Sequence, residues 1–303
     1  MSESAKFLIL ILGPTASGKT ALSIELAKYF NTEILSTDSR QFYKGMDIGT
    51  AKPNKEELSA APHHFIDFLN PEEYYSAGDY ERDALQLCEK LFAKHPILIA
   101  TGGSGLFVKA LTEGLDDMPP ADLNLRKELD ENYQLNGIEY LQDRLFKINP
   151  KKYQEIDIQN PQRLMRAIEM SLQGVVLTST KKQRPFTCIK IGLDWDRELL
   201  YNRINLRVDQ MMQLGLEQEA KSFHHLQHLN SLQTVGYQEL FEYFDGRCTL
   251  AHAIDKIKQH SRNYAKRQLT WFKKDNEIIW KKPSEIADIK QLIENKCINM
   301  KAQ

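Results

Sequence analysis

The first hundred residues alternate between short apolar runs and amphipathic stretches. The unbroken run Phe7–Leu12 has the composition of a strand that is buried on both faces, and Ala21–Tyr29 has a helical period. Shorter segments at Glu33–Ser36 and Pro96–Ala100 predict two more strands, and an amphipathic helix is predicted over Ser76–Lys94. Strands that alternate with helices form parallel sheets, so we expect an α/β core.

The alternation of strand and helix patterns ends after the first hundred residues. Met118-Pro119-Pro120 interrupts the alternation, and a strand pattern returns only at Thr187–Asp194. Between them four helices are predicted, at Asp122–Asn136, Ile138–Ile148, Pro150–Ile156 and Pro161–Leu172. We therefore expect a core domain of residues 1–118 and 186–303, interrupted by a helical insertion of residues 119–185 whose polar stretch 178–185 is the return hinge.

Two further stretches complete the predicted elements. The segment from Gly45 to Pro71 is expected to be rich in loops. Asp196–Leu229 predicts one long helical region, and Leu250–Lys274 predicts a helix rich in bases and aromatic residues. Between Lys256 and Lys282 nine Lys or Arg stand against two acids, a pattern typical either of a solvated helix face or of a surface for a polyanion.

The composition indicates a globular protein without a membrane span. The chain is 42% hydrophobic and 27% charged, and its longest apolar run is far below the roughly 20 residues that cross a bilayer. The N-terminus lacks the pattern of a secretory signal. Four scattered cysteines favour reduced thiols over a disulfide framework, so we expect a cytoplasmic protein.

Residues 13–20 form a G-x-x-x-x-G-K-[ST] phosphate-binding loop between the first strand and the first helix. The glycines allow successive backbone N–H groups to face one point at the positive end of the helix dipole. Lys19 supplies a charge for the outer phosphate, and the Thr20 hydroxyl is expected to ligate Mg²⁺. The predicted diphosphate-binding residues are Gly13, Pro14, Thr15, Ala16, Ser17, Gly18, Lys19 and Thr20.

Two more polar segments, 38–41 and 101–105, follow predicted strands, so all three loops should converge on one site. Asp38 follows a strand that we expect to lie beside the strand of the phosphate loop, where an acid orients a nucleophile or binds magnesium through water. The alternative is that Asp38 only caps the next turn. Arg203 and Arg207 share a helix face and can donate to diphosphate oxygens, although two exposed arginines are also common on solvated helices.

Two motifs are absent from the sequence, and their absence argues against a GTPase and against a motor ATPase. The sequence has no N-K-x-D segment for reading guanine, and we see no apolar strand that ends in Asp-Glu, as motor ATPases have. The loop alone therefore leaves an ATP-binding kinase of nucleotides or small molecules, or another enzyme that handles a bound diphosphate.

Longer blocks distinguish these alternatives. In chain order they are GPTASGKTALSIELAKYF, STDSRQFYKGMDIGTAKP, APHHFID, TGGSGLFVKAL, DIQNPQRLMRAIE, TVGYQEL and YAKRQLTWFKK. Together they resemble the tRNA dimethylallyltransferase family over most of the chain, and DSRQFYKGMDIGTAKP is the most specific of them. The resemblance implies a P-loop NTPase-like parallel sheet flanked by helices, with a helical insertion that clamps the tRNA anticodon stem-loop. A monomer is expected.

The resemblance also implies the reaction, which is transfer of a dimethylallyl group from dimethylallyl diphosphate to the exocyclic N6 amine of adenine at tRNA position 37. ATP is then unnecessary. Asp38 resembles the general base, and Thr101 resembles a partner of the amine or of the nearby substrate. Arg207 resembles the arginine that binds the leaving pyrophosphate opposite Lys19 and Mg²⁺, although helical spacing does not divide this role between Arg203 and Arg207. The implied tRNA contacts are Asp38, Ser39, Arg40, Gln41, Thr101, Gln162, Arg163, Leu164, Met165 and Arg166.

Three alternatives to this activity stay open at the level of sequence. They are the ATP-dependent kinase, a prenyltransferase that acts on free adenine nucleotides, and a phosphate-loop RNA-binding module without turnover. A mononucleotide substrate requires neither the helical insertion nor the basic segment 256–282, and this favours tRNA.

Overall fold

A parallel sheet forms the centre of the larger part of the chain. The computed structural model describes residues 5–116, 121–175 and 181–301. Within these residues the sheet has six strands, all parallel, in the order β3-β2-β4-β1-β5-β6. The strands are β1 (Phe7–Leu12), β2 (Ile34–Ser36), β3 (His63–His64), β4 (Ile97–Gly102), β5 (Thr187–Leu193) and β6 (Ile279–Lys281).

Helices connect these strands and cover both faces of the sheet. The α-helices of the described residues are α1 (Lys19–Phe30), α2 (Lys55–Ala60), α3 (Ala77–Phe92), α4 (Gly105–Glu113), α5 (Leu123–Asn136), α6 (Ile138–Ile148), α7 (Pro150–Glu155), α8 (Pro161–Leu172), α9 (Arg197–Gln213), α10 (Leu216–Ser222), α11 (Tyr237–Phe244), α12 (Leu250–Phe272) and α13 (Ile286–Lys301). This is the expected α/β fold of the P-loop NTPase type.

The apolar run of β1 is unbroken because both of its faces are buried. Leu8 and Leu10 lie in a core formed with α3, α4 and helices α9 to α12. Ile9 and Ile11 lie in a second core formed with α1 and α13. A strand that is covered by helices on both sides has no position that tolerates a polar side chain.

The order of the strands corrects one expectation. β2 does not lie beside β1, because β4 is inserted between them and is paired with both. The chain passes from β1 through α1 to β2 and leaves one strand position between them. β4, which comes later in the chain, occupies this position and forms hydrogen bonds with both neighbours. Since every strand is parallel, the carboxyl ends of β1, β2 and β4 still meet at one edge of the sheet.

Other segments also differ from the sequence prediction. The region predicted as one long helix over Asp196–Leu229 is broken after α9, where Gly215 adopts a left-handed conformation with φ of 102°. The break lets α10 bury Leu216 and Ala220 in the core. The stretch expected to be rich in loops also contains α2 and β3, and β6 was not predicted.

The chain folds into two compact units, one formed by Met1–Gly114 with Gln183–Gln303 and the other by Leu115–Lys182. The predicted first boundary, between residues 118 and 119, and residues 178–180 of the predicted hinge lie outside the described residues. β5 returns next to β1 after the second unit, as expected from the strand pattern of this segment.

A buried carboxylate organises the second unit. Helices α5 to α8 pack around leucines such as Leu129 and Leu164, and Glu169 of α8 is fully buried beside them. Its Oε1 accepts from the Asp122 backbone N–H at 2.8 Å, and its Oε2 accepts from Arg126 Nη2 at 2.8 Å and from the Arg166 guanidinium. Burial alone would raise the pKa of Glu169, but these hydrogen bonds hold it below its usual value.

We expect Glu169→Ala to lower the free energy of unfolding of the second unit by roughly 3 kcal/mol, because it leaves two guanidinium groups and the Asp122 backbone N–H without their acceptor. Urea unfolding at pH 7 measures this change. Since the folded pKa of Glu169 is lowered, its contribution is present above the unfolded pKa and is lost as the pH falls through the folded value, so the difference should shrink near pH 3.

The matched control is Glu131→Ala on α5, where the carboxylate is exposed and lies 3.9 Å from Lys127. An exposed pair of this kind contributes at most about 1 kcal/mol. Equal destabilisation by the two substitutions would contradict the role assigned to Glu169.

Candidate active site

Three loops meet at the carboxyl edge of the sheet, and Thr101 lies between them. In the strand register Thr101 is opposite Ile11 on one side and Ser36 on the other. These positions come two residues before Gly13 and Asp38 respectively. The sheet therefore brings the predicted phosphate loop, the Asp38 segment and the glycine-rich loop after β4 together, as the sequence indicated.

The phosphate loop has the backbone geometry that anion binding requires. Gly13 and Gly18 have φ values of 149° and 91°, in the region where a side chain would be strained. Gly18 stands immediately before α1, whose first turn carries no acidic residue that would neutralise the helix dipole. Lys19 bends back so that its Nζ donates to the Pro14 carbonyl at 2.7 Å.

Positive charge is concentrated around this loop. Burial, and to a smaller extent the nearby Arg207, lower the pKa of Lys19 to about 8, although Asp38 acts in the opposite direction. Burial likewise lowers the pKa of Arg207, which Asp38 again opposes. Among the described residues no carboxylate forms an ion pair with either cation within 4 Å. An anion with several negative oxygens would relieve this repulsion.

The structure separates the roles of the two arginines of α9. Arg203 donates from Nε to the Ala16 carbonyl at 2.9 Å, and its guanidinium stacks 4.4 Å above the ring of Trp195. The Trp195 indole N–H donates to the Ser17 carbonyl at 2.9 Å. Arg203 and Trp195 therefore satisfy two carbonyl groups of the loop.

Arg207, one turn further along α9, lies on the Lys19 side instead. Its Nη1 is 3.4 Å from the Thr15 hydroxyl, and its charge interacts with that of Asp38. Of the two arginines, Arg207 is thus the one placed to meet a diphosphate beside Lys19.

Asp38 caps a turn and also faces the site. Its Oδ1 accepts from the Arg40 backbone N–H at 3.0 Å, which is the capping alternative from the sequence. Its Oδ2 makes no hydrogen bond within the described part of the chain, and its charge lies near those of Lys19 and Arg207. The two interpretations of Asp38 are therefore compatible. The hydroxyl of Thr101 donates to the Ile11 carbonyl over a long 3.4 Å.

The glycines after β4 permit close contacts between loops. A Cβ at Gly102 would lie 2.2 Å from the Thr37 hydroxyl, and one at Gly103 would lie 2.0 Å from Nε2 of Gln268. Ser104 binds the neighbouring segment through its Oγ, which accepts from the Ser39 N–H at 3.1 Å. This loop consequently orders the Asp38 segment as well as carrying Thr101.

Gln41 and Arg40 of the Asp38 segment have different contacts. Gln41 donates to the Ala51 carbonyl at 3.1 Å and accepts from Ser36, so it holds the following loop in place. Arg40 is partly exposed and approaches the Gln233 carbonyl at 3.5 Å.

The predicted tRNA segment at the start of α8 has an exposed and a buried side. Gln162 and Arg163 are exposed. Leu164 and Met165 are buried in the core of the second unit, so their side chains serve packing in this conformation. Arg166 is paired with Glu169. Contact with RNA remains a prediction for the exposed side of this segment.

Sequence reasoning missed two residues that hold the phosphate loop, Trp195 and Gln268. Gln268 accepts from the Thr15 N–H at 2.9 Å and donates to the Gly103 carbonyl at 3.0 Å. The pattern of α12 contained a signal for it, because Gln268 interrupts the otherwise apolar stripe that Ala265 and Phe272 continue. The position of Trp195 just before α9 gave no comparable signal.

The model of the IPP transferase family matches residues 41–275, well over half of the chain. The chain belongs to the IPP transferase family. A tRNA dimethylallyltransferase from Christiangramia forsetii is 49% identical over 91% of this chain and 93% of its own length. One from Cytophaga hutchinsonii is 48% identical over 98% of this chain and 99% of its own length.

Solved structures agree with this placement in the IPP transferase family. The crystal structure of a tRNA isopentenylpyrophosphate transferase from Bacillus halodurans superimposes with a TM-score of 0.74 at 39% identity and covers 98% of both chains. No helix among the described residues of this family member is long and apolar enough to cross a membrane.

The lowered pKa of Lys19 predicts a pH dependence of pyrophosphate binding. Because the ammonium form binds the anion, affinity should fall as the pH rises through about 8, by roughly tenfold at pH 9. Isothermal titration calorimetry with inorganic pyrophosphate between pH 7 and 9 measures this. Lys19→Arg is the control, since its guanidinium stays charged throughout this range, and it should lack the fall relative to wild type. Parallel profiles for the two proteins would contradict the assignment.

Proposed function

We propose that this member of the IPP transferase family transfers a dimethylallyl group from dimethylallyl diphosphate to the N6 amine of adenine at tRNA position 37. The observation that carries the proposal is a phosphate loop flanked by Lys19 and Arg207 that faces the carboxylate of Asp38, in a chain whose relatives are named tRNA dimethylallyltransferases. A kinase is not favoured, because none of these relatives carries that name.

The chemistry fits the charges of the site. The bond between C1 of the dimethylallyl group and the diphosphate oxygen breaks, and its electron pair leaves with pyrophosphate. The N6 lone pair forms the new bond to C1, and the proton that N6 loses passes to Asp38. An aromatic amine is a weak nucleophile, so the allylic carbon carries positive charge before the new bond is complete. Stabilising the leaving group by Lys19 and Arg207 is then the largest contribution, and proton transfer to Asp38 a smaller one.

We also propose that Mg²⁺ accompanies the diphosphate, because the donors at the site suit it. Mg²⁺ prefers oxygen ligands and keeps several waters, so it needs only one or two protein groups beside a phosphate. Thr20 lies in the first turn of α1, and its hydroxyl has no hydrogen bond among the described residues. Within the same residues no cluster of three or more His, Cys, Asp or Glu forms a metal site. Thr20 would therefore hold the ion together with the diphosphate, and the ion would supply further charge neutralisation on the leaving group.

The tRNA would be bound by two surfaces. On α12 the exposed side chains Lys266 and Arg267 lie one turn from Tyr264, whose hydroxyl reaches Ser104 of the site. We propose that this basic face follows the tRNA backbone and that the second unit binds the anticodon stem-loop. The target base must leave its stack to reach Asp38, as in other enzymes that modify bases. We propose further that the protein acts as a monomer in the cytoplasm.

The decisive experiment is incubation with labelled dimethylallyl diphosphate and bulk tRNA, followed by analysis of the nucleosides. Label in N6-dimethylallyladenosine supports the proposal. Turnover of ATP without modified tRNA would overturn it in favour of a kinase. Comparing free AMP with an anticodon stem-loop separates tRNA from nucleotide substrates, and equal rates on both would remove the role of the tRNA-binding surfaces.

We expect Asp38→Asn to lower kcat by roughly 10²–10⁴-fold while the Kd for tRNA changes little. The amide keeps an oxygen for the Arg40 N–H, so the turn is retained, but it does not accept the proton. Single-turnover kinetics and a tRNA binding assay measure the two quantities. A large loss of tRNA affinity with an unchanged chemical rate would instead make Asp38 a docking residue.

Removing the basic face of α12 tests its contact with tRNA. Lys266→Ala with Arg267→Ala should weaken tRNA binding and reduce the slope of log K against log salt by about one unit for each phosphate contact that is lost, so by up to about two units. The control is Lys90→Ala with Lys94→Ala, which removes the same amount of charge. Both lysines are exposed, and they lie in the last turn of α3 and just after it. Unchanged slopes for the α12 pair would show that this face is only solvated.

A further inference from the structure

Helix α12 separates two kinds of side chain on opposite faces. Its outer face carries the exposed polar and basic residues Asn263, Lys266, Arg267 and Thr270, and Lys274 follows just after the helix. Its inner face presents Tyr264 and Gln268, and Trp271, which is 47% exposed, continues this i, i+4, i+7 stripe at the edge of the outer face. Each of these three contacts the loop that follows β4 or the turn after it.

The contacts of the inner face are close. A Cβ at Gly105 would lie 2.2 Å from the indole nitrogen of Trp271, and one at Gly103 would lie 2.0 Å from Nε2 of Gln268. The Tyr264 hydroxyl lies near Ser104. Three successive residues of this loop region, 103 to 105, are thus seated against α12, and only glycines fit at the two closest points.

Gln268 alone among these three also binds the phosphate loop. It is only 6% exposed, and its Oε1 accepts from the Thr15 N–H while its Nε2 donates to the Gly103 carbonyl. A carboxamide is the side chain group that accepts and donates at once in one plane, so it satisfies one backbone group from each loop. The two loops come from strands β1 and β4, and their separation determines how far a bound diphosphate lies from Thr101.

We propose that Gln268 is a positioning residue, which sets the separation between the phosphate loop and the loop after β4 and so makes the diphosphate site depend on the seating of α12. The inference rests on the proposed function in one respect, namely that residues 13–20 hold a diphosphate. It adds a residue that touches neither substrate. Because the outer face of the same helix is the proposed tRNA surface, Gln268 is also the direct link from that surface to the phosphate loop.

The test replaces Gln268 with methionine, which has similar length and volume but makes neither hydrogen bond. We expect the Kd of inorganic pyrophosphate with Mg²⁺ to rise roughly tenfold, together with the KM for dimethylallyl diphosphate, since two buried hydrogen bonds that order the loop are lost. A merely structural defect would lower the active fraction, and therefore kcat, without changing Kd or KM. The control is Gln259→Met, the same substitution at an exposed position on the opposite face of α12, which should leave the pyrophosphate Kd unchanged.

A second variant keeps the test decisive if Gln268→Met does not fold. Gly103→Ala keeps the glutamine at position 268 but pushes its carboxamide away, because the new alanine Cβ would collide with Nε2 of Gln268. This variant should weaken pyrophosphate binding to a similar degree. The double variant should bind pyrophosphate little more weakly than either single variant, because both substitutions disrupt the same contacts of Gln268. Pyrophosphate affinity within twofold of wild type in either folded variant would overturn the inference. Failure of the wild-type protein to bind pyrophosphate would instead overturn the diphosphate site itself.

Discussion

Strands β1 and β4 share six register pairs at the centre of the sheet, and β1 is buried on both faces. This pairing determines where the phosphate loop and the loop after β4 lie relative to each other. Because the strands are parallel, the chain leaves both at the same edge, and the loops after them begin side by side. The short strand β2 pairs with the other side of β4 and brings Asp38 to the same edge. The positions of these three loops thus depend on backbone hydrogen bonds within the sheet.

The phosphate loop is held by side chains from two distant helices. Arg203 of α9 and Trp195 bind carbonyl groups of the loop, while Gln268 of α12 binds the Thr15 N–H. Fixing carbonyls on the outside leaves the other N–H groups free to face inward, where an anion binds. The same loop geometry serves enzymes that cleave nucleoside triphosphates. Under the proposed function, the diphosphate is instead a leaving group and the group that is transferred is carbon.

The second unit follows a different organising rule. Its core is apolar and small, and its fully buried Glu169 is neutralised by Arg126 and Arg166. A buried charge that is satisfied by several directed hydrogen bonds specifies one arrangement of the helices that supply them, here α5 and α8. Arg166 therefore has a structural partner within its own unit, whereas its neighbours Gln162 and Arg163 remain exposed.

The local features of this protein are predictable from the types and spacing of its residues. The strand, loop and helix around residues 13–20 follow from residue types and spacing within about twenty positions, and so do the helices of the second unit. The convergence of three loops followed from the rule that parallel strands end together. The tertiary structure alone decided that β4 separates β1 from β2, that Arg203 and Arg207 have different partners, and that Gln268 meets Thr15. The last contact joins residues 253 positions apart, and no local periodicity encodes a hydrogen bond whose two groups are brought together only by the packing of a helix against a sheet.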